Sequence, residues 1–240
     1  MKNLMMAILA LISLKSFAQP WETVKGNGQV KKETREVSNY TSLSSHGSMD
    51  VDIAYGNSNK IEVEADDNLL PYIETVVENG NLIIRSKKNV NLKSRSKMVV
   101  HVSMTKITSL QLSGSGNING EGAFNNNGKT EIAVSGSGNV KLSFDFFNEL
   151  DLSVSGSGNM DLESKTTKNI TAKVSGSGNI DCSGIGCENV DAKISGSGNI
   201  KVYASHSIDA KISGSGNVFY KEGSPNITSK IVGSGKVLKM

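Results

Sequence analysis

The chain has 240 residues, with 26 lysines and arginines against 23 aspartates and glutamates. Binding to nucleic acid requires a concentrated basic face, so this near balance of charge argues against a nucleic-acid partner. Aromatic residues make up 5% of the chain while glycines number 25. Such a composition is typical of a thin core between tight turns and not of the wide core of a globular enzyme.

Residues 1–18 have the pattern of a secretory signal peptide. An apolar run from Leu4 to Leu14 follows the positive Lys2. Ser16 and Ala18 are the small residues of a cleavage site. The run is too short to cross about 30 Å of hydrocarbon, so it predicts export and no membrane span. The alternative is a buried N-terminal helix. We expect a mature protein in the periplasm, at the cell surface or outside the cell.

Residues 19–37 are predicted to be an N-terminal extension, and residues 38–112 an N-terminal β region. Apolar and polar residues alternate in Met49–Ile53, Ile61–Ala65 and Val100–Met104, which indicates strands with one buried face. We expect this region to extend or cap the body formed by the later residues, because an uncovered first coil would leave an open strand edge.

One basic cluster stands near the end of this region. A solvated loop is the simpler interpretation of the cluster, and binding of an anionic polymer is the alternative. The cluster consists of Lys87, Lys88, Lys93, Arg95 and Lys97.

A short motif repeats through residues 113–240. The sequence Ser-Gly-Ser-Gly-Asn recurs six times, and an altered seventh copy reads Val-Gly-Ser-Gly-Lys. The first glycines of successive copies are 22, 20, 20, 20, 18 and 19 residues apart. Near-constant spacing indicates a repeat architecture with one copy in each coil. The copies lie at 113–117, 135–139, 155–159, 175–179, 195–199, 213–217 and 232–236.

The segments around each motif alternate with a period of two. Leu152 and Val154 precede one copy, and Met160 and Leu162 follow it, with polar residues between them. Each unit is therefore predicted to be a strand, a Gly-Ser-Gly corner and a second strand. One coil of about 20 residues buries too little apolar surface to fold alone, so the coils must stack with parallel strands about 4.8 Å apart. The predicted fold is an all-β, parallel β-helix-like solenoid.

The glycines and asparagines of the motif are predicted to be structural. Glycine adopts the positive φ of a sharp corner without strain, and equivalent asparagines of stacked coils can hydrogen-bond along their column. The alternative is a repeated ligand site along this edge. Repeated calcium binding is excluded because lysine, which offers no oxygen ligand, stands two residues after the asparagine in two copies, as Lys141 and Lys201. The residues of this turn ladder are Gly114, Gly116, Asn117, Gly136, Gly138, Asn139, Gly156, Gly158, Asn159, Gly176, Gly178, Asn179, Gly196, Gly198, Asn199, Gly214, Gly216 and Asn217.

Cys182 and Cys187 are the only cysteines. Export favours a disulfide between them, and the loop Ser183–Gly186 is flexible enough to close a small ring. The alternative is that Cys182 fills its inward-facing position as a small apolar residue. Two cysteines are too few for a four-cysteine zinc site.

No catalytic, metal-binding or cofactor-binding set stands out in the sequence. His46, His101 and His206 lack metal-binding spacing, and we interpret all three as surface residues. A glycosidase with paired carboxylates is an alternative if acids of neighbouring coils approach one another. The acids in question are Asp145, Glu149, Asp151, Asp161 and Glu163.

Three features together resemble one bacterial family. They are the export signal, the segment Ile61–Ile73 (Ile-Glu-Val-Glu-Ala-Asp-Asp-Asn-Leu-Leu-Pro-Tyr-Ile), and the Ser-Gly-Ser-Gly-Asn series. The chain resembles, over residues 38–238, the family named putative auto-transporter adhesin, head GIN domain, which is common in Bacteroidetes. The resemblance implies a right-handed parallel β-helix-like fold, similar to pectin-lyase-type solenoids, and an adhesive role.

The leading hypothesis is a noncatalytic cell-envelope protein that adheres to glycans or cell-surface proteins. One alternative is a carbohydrate-active enzyme, a polysaccharide lyase or hydrolase, built on a β-helix. Another is a structural envelope protein that self-associates through its coil ends. None of the three hypotheses involves a cofactor.

Overall fold

The computed structural model describes residues 21–221 and 225–240. The predicted signal peptide, residues 1–18, lies outside the described residues. Within those two ranges the secondary structure is β, apart from a single 3₁₀ helix at Leu70–Tyr72.

Twenty strands are numbered here in chain order. They are β1 (Glu22–Lys25), β2 (Val30–Glu36), β3 (Ser42–Gly47), β4 (Asp50–Tyr55), β5 (Lys60–Asp66), β6 (Ile73–Glu78), β7 (Asn81–Ser86), β8 (Val90–Lys93), β9 (Val99–Met104), β10 (Ser109–Gly114), β11 (Asn117–Glu121), β12 (Asn125–Gly136), β13 (Asn139–Ser143), β14 (Phe146–Gly156), β15 (Asn159–Gly176), β16 (Asn179–Gly196), β17 (Asn199–Gly214), β18 (Asn217–Lys221), β19 (Asn226–Gly233) and β20 (Lys236–Lys239). All except the parallel pair β1 and β8 belong to one continuous sheet.

The repeat coils stack in parallel and in register. Gly136, Gly156 and Gly176 occupy equivalent positions of neighbouring strands, and so do Asn139 and Asn159 after the corner. The pairing continues through β16, β17 and the last strands, β19 and β20. The prediction of an all-β parallel solenoid with coils of about 20 residues is confirmed.

Glycine is required at the corners for two reasons, which Gly196 illustrates. Its φ of +129° lies in a region that L side chains rarely adopt. A Cβ at this position would lie 2.3 Å from the carbonyl oxygen of Gly176 in the preceding coil. That oxygen instead accepts hydrogen bonds from the N–H groups of Ser197 and Gly198, at 2.9 and 3.1 Å. Glycine therefore allows successive coils to hydrogen-bond directly at the corner.

An additional coil lies in the N-terminal region, where the sequence shows no Gly-Ser-Gly motif. β3 pairs in parallel with β10 and places Gly47 opposite Gly114. β4 pairs with β11 and places Val51 opposite Ile118. The segment 46–50 between them reads His-Gly-Ser-Met-Asp, an altered copy of Ser-Gly-Ser-Gly-Asn. The solenoid therefore begins before the recognisable repeats.

The N-terminal end of the solenoid is covered by strands that change direction. β7 and β9 pair in parallel with β3 and β4 and form a layer next to them. Three further pairings are antiparallel and join β6 to β7, β5 to β9 and β2 to β5. Arg35 on β2 donates to the carbonyl oxygens of Leu70 and Ile73, at 2.9 and 2.7 Å. We call β2, β5, β6, β7 and β9 the cap.

The interior consists of columns of apolar side chains. Val154, Val174 and Ile194 form one column and are at most 3% exposed. Burial of each such side chain contributes about 1.5–3 kcal/mol. Phe124 and Phe147 are the largest fully buried side chains. The buried apolar side chains of successive coils pack against one another, so the core is continuous from the cap to the last coils.

The last coil presents an open edge. Among the described residues, β19 pairs only with β17 and β20 only with β18. Ile227, Ile231 and Val232 on β19 are 41%, 39% and 63% exposed, and Leu238 on β20 is 39% exposed. The two ends of the solenoid therefore differ, since one is capped and the other exposes apolar side chains.

Candidate binding surfaces

An asparagine ladder runs along the edge that follows the corners. The side-chain amide of each asparagine donates to the side-chain oxygen of the preceding one, at 2.9–3.2 Å. Oδ1 of Asn179 also accepts from the backbone N–H of Asn199, at 3.1 Å. Because these amides bind one another, they stiffen the stack at this edge. The ladder comprises Asn117, Asn139, Asn159, Asn179, Asn199 and Asn217.

The strands before the corners form an outer face that repeats the same residue types in columns. Side chains that alternate with the buried ones point outward here, and equivalent residues of neighbouring strands lie about 4.8 Å apart. We call this surface the lysine face. It comprises the lysine column Lys173, Lys193, Lys211 and Lys230, the serine column Ser155, Ser175, Ser195 and Ser213, and the acids Asp151, Asp191 and Asp209.

Ion pairs within single strands hold the lysines of this face in place. Nζ of Lys193 lies 2.8 Å from Asp191, and Lys211 makes the equivalent contact at 3.0 Å. The hydrogen bond to Asp191 raises the pKa of Lys193, so this lysine is charged at neutral pH. Lys230 has no ion pair with any residue that the structure describes, because Thr228 stands where the two preceding coils have aspartate.

A groove of about 500 Å³ runs between the lysine and serine columns. Its lining residues come from β14, β15, β16, β17 and β19, so the groove crosses five strands along the solenoid. A lysine side chain presents an apolar stem and a charged tip. The groove therefore offers apolar contact along its walls and ammonium and hydroxyl groups at its rims.

A second groove, of about 780 Å³, lies where the cap meets the first coils. We call it the His101 groove. Nδ1 of His101 lies 3.5 Å from Oδ2 of Asp52, and its Nε2 lies 3.8 Å from Oε2 of Glu64. Nζ of Lys32 lies 2.7 Å from Oε1 of Glu62 and 3.3 Å from Oε2 of Glu64. The hydrogen bond from Lys32 lowers the pKa of Glu62, which favours the ionised form of this carboxyl group.

Residues 39–225 match the family model described as putative auto-transporter adhesin, head GIN domain. The chain belongs to this family. The matched range includes β5, β6, β7 and β9 of the cap, the acids and the imidazole of the His101 groove, and most of the lysine face, whereas β2 lies before it. The resemblance predicted from the sequence motifs is thus confirmed. No curated protein matches the chain.

Three solved structures show how the head GIN fold recurs. A putative adhesin from Bacteroides fragilis NCTC 9343 is 21% identical, with a TM-score of 0.82 over 90% of this chain and 100% of the other. A putative lipid binding protein from Parabacteroides distasonis ATCC 8503 is 26% identical, with a TM-score of 0.71 over 91% and 100%. A putative adhesin from Parabacteroides merdae ATCC 43184 is 22% identical, with a TM-score of 0.67 over 91% and 99%. In the present chain, no helix of the described residues is long and apolar enough to cross a membrane.

The two cysteines are free thiols in the structure, and the disulfide between them stays a prediction. They belong to different columns of the interior, because Cys182 pairs with Val202 whereas Cys187 pairs with Thr167. Sγ of Cys187 donates to the carbonyl oxygen of Asn189 at 3.0 Å. Both side chains are buried, which agrees with the alternative that Cys182 fills an inward-facing position.

The acids considered for a glycosidase are distributed over two sides of the solenoid. Asp151 lies on the lysine face, 2.9 Å from Lys129. Asp161 lies after the corner, 3.6 Å from Lys141. Each of these two acids forms an ion pair with lysine, and a second carboxylate lies opposite it on a neighbouring strand, Glu131 opposite Asp151 and Asp181 opposite Asp161. The glycosidase therefore stays an alternative hypothesis, with each of these two acids held by a lysine.

Glu163 lines the His101 groove, whereas His46, His206 and the basic cluster line neither groove. His46 and His206 are exposed. In the basic cluster, Lys97 pairs with Asp50 at 3.0 Å, and the backbone N–H of Arg95 donates to Asp66 at 2.9 Å. Two members of this cluster therefore contribute to contacts within the protein.

Proposed function

We propose that the chain is a noncatalytic, exported adhesin that binds a surface glycan along the lysine face. Membership of the head GIN family, whose description is that of an adhesin, supports the adhesive role. The pattern of residues 1–18 supports export. The pairing of candidate catalytic acids with lysines favours a binding role over hydrolysis.

The observation that carries this proposal is the repetition of identical polar groups on one face. Lys173, Lys193 and Lys211 recur at strand spacing, each two residues before a serine. Ammonium, carboxylate and hydroxyl groups supply the donors and acceptors that sugar hydroxyls require. A fixed row of such groups contacts several sugar units of one chain at once, so individually weak contacts reinforce one another.

A glycan array followed by titration of the best ligand tests the proposal. The double variant Lys193→Ala and Lys211→Ala is expected to weaken binding at least about tenfold, which corresponds to about 1.4 kcal/mol. The matched control is Lys141→Ala and Lys201→Ala, because these lysines also pair with aspartates but lie after the corners. The proposal is wrong if both double variants lose binding equally, or if no glycan binds.

The open edge of the last coil favours a second candidate function, attachment to an anionic lipid surface. Residues 225–240 contain three lysines and no acid, and Ile231, Val232 and Leu238 are exposed beside them. Exposed apolar patches are typical of interaction sites, and each lysine near an anionic membrane contributes about 1 kcal/mol. The structural relative with 26% identity is named a putative lipid binding protein, which agrees with this candidate.

Co-sedimentation with lipid vesicles distinguishes the second candidate from the first. Binding is expected to vesicles that contain phosphatidylglycerol and not to vesicles of phosphatidylcholine alone. Val232→Ser combined with Leu238→Ser should reduce it, whereas the lysine-face double variant should retain it. Equal binding to both kinds of vesicle, or no binding to either, would contradict attachment through this charged end.

A further inference from the structure

We infer that Glu62, Glu64 and His101 form a binding site for a divalent transition metal, with Zn²⁺ as the best-matched ion. One ligand atom from each of the three side chains lies within 4.8 Å of the others. An imidazole nitrogen with two carboxylate oxygens is a donor set that suits Zn²⁺. Mg²⁺ and Ca²⁺ prefer oxygen ligands alone, so the histidine gives the site its selectivity.

The cap places these donors on neighbouring strands. β5 and β9 pair antiparallel with Glu62 directly opposite His101. Glu64 lies two residues further along β5, and residues two apart on a strand share one face. Donors held by paired strands are preorganised in a way that loop residues are not. The change of strand direction at the cap therefore creates a donor set that the parallel coils do not repeat.

Asp52 supplies the second feature of a metal site. It lies on β4 directly opposite His101, and its Oδ2 is 3.5 Å from Nδ1 of the imidazole. Metal-binding histidines usually direct their second nitrogen toward a carboxylate, which fixes the ring and raises its basicity. With Nδ1 turned toward Asp52, Nε2 is left facing Glu64. Asp52 is thus a positioning residue for His101.

Lys32 competes with the metal for the same carboxylates. Its Nζ lies 2.7 Å from Glu62 and 3.3 Å from Glu64, so its positive charge occupies the space beside two of the three donors. The Lys32 side chain is 57% exposed, and an exposed lysine can swing into solvent when an ion binds. Removing the lysine charge should therefore strengthen metal binding.

The site opens toward solvent. Glu62 and His101 line the His101 groove of about 780 Å³. Three protein donors leave at least one position of a tetrahedral Zn²⁺ ion free for water or an outside oxygen ligand. The bound ion would give this end of the solenoid a contact point of its own, separate from the lysine face.

Isothermal titration of the tag-free protein with ZnCl₂ tests the inference, with MgCl₂ as the competing ion. Wild type is expected to bind one Zn²⁺ with heat that Mg²⁺ does not reproduce. His101→Ala and Glu62→Gln should each weaken Zn²⁺ binding at least tenfold. Lys32→Met should strengthen it about tenfold, because a competing cation is removed. His206→Ala, which replaces an exposed histidine elsewhere, is the matched control and should bind as wild type does.

The Zn²⁺-induced rise in thermal unfolding temperature gives an independent readout, and it should disappear in Glu62→Gln. That variant alters one partly exposed side chain, so it keeps the test valid if His101→Ala does not fold. Unchanged affinity in both variants, equal binding of Mg²⁺, or no gain in Lys32→Met would each overturn the inference. Loss of binding in His206→Ala would place the ion elsewhere.

Discussion

The side-chain amide of Asn117 donates to Oδ1 of Asp50 at 2.9 Å, and its backbone N–H donates to the same oxygen at 2.8 Å. This contact joins the first Ser-Gly-Ser-Gly-Asn motif to the coil that lacks the motif. The ladder is directional, because each asparagine donates its amide toward the N-terminal end. Asp50, which precedes the first asparagine of the ladder, has only to accept, and a carboxylate is an acceptor-only group.

Replacement of Asp50 tests this directionality. Asp50→Ala is expected to destabilise the protein by about 1–3 kcal/mol, because two donors of Asn117 lose their acceptor. Asp50 is only 7% exposed, so little water can replace its carboxylate. Asp50→Asn keeps an acceptor oxygen and loses mainly the ion pair with Lys97, so about 0–1 kcal/mol is expected. Urea unfolding measures both. Equal losses of stability in Asp50→Ala and Asp50→Asn would contradict the role of Asp50 as the acceptor for Asn117.

Substitution of a corner glycine should be far more damaging than substitution of a glycine in the middle of a strand. Gly196→Ala combines an unfavourable φ with a 2.3 Å approach of the new Cβ to the oxygen of Gly176, and a loss of about 2–4 kcal/mol is expected. Gly184→Ala is the matched control, because its nearest neighbour, Cγ of Glu163, is 3.7 Å away. Thermal and urea unfolding give the two values. A similar loss at Gly184 would show that corner geometry is not the cause.

The same geometry explains why one coil escapes detection in the sequence. A Cβ on Gly114 would lie 2.2 Å from the oxygen of Gly47, and one on Gly116 would lie 2.0 Å from the oxygen of Met49. A Cβ on Gly47 itself would meet nothing within 4 Å. Glycine is thus required where the corner of a preceding coil lies close, and no such corner lies beneath the first coil. Met49 is therefore tolerated there, and the motif that identifies the later coils is lost.

The two grooves differ in how far the sequence predicts them. Each lysine of the lysine face stands three residues before the first glycine of a motif, as Lys193 does before Gly196, so the repeat alone aligns the column. The residues around His101 come from β2, β4, β5 and β9, which carry no repeat and pair partly antiparallel. No local spacing connects Glu62 with His101, because their proximity depends on the pairing of distant segments.

The cysteines are expected to resist alkylation in the folded protein. Burial raises the pKa of Cys187 to about 11 and also raises the pKa of Cys182, and the thiolate is the reactive form. Iodoacetamide near pH 8 should leave both unmodified in the native state and modify both after unfolding in urea without reductant, as read from the intact mass. Modification of the native protein would contradict the burial. Two unmodified cysteines after unfolding would instead reveal a disulfide.

Acid is expected to destabilise the protein through Asp66. This fully buried carboxylate accepts hydrogen bonds from the N–H of Arg95 at 2.9 Å and the hydroxyl of Ser94 at 3.0 Å. The Arg95 N–H, together with serine donors, holds the pKa of Asp66 below its ordinary value. The unfolded chain, with a pKa of about 3.9, therefore binds the proton more readily. Stability is complete above that unfolded pKa and is lost as pH falls through the folded one.

Asp66→Asn separates this carboxylate from the other acids. The amide cannot ionise and offers one acceptor oxygen in place of two, so the variant should be less stable near neutral pH and lose less stability as pH falls below about 4. Glu188→Gln, at an exposed acid, should keep the wild-type dependence in urea unfolding. An equally steep loss in Asp66→Asn would assign the acid sensitivity to another group. Because Asp66 holds the loop 94–96 against the cap, the protection of the Arg95 N–H against hydrogen exchange should fall in acid before the protection of the coil strands does.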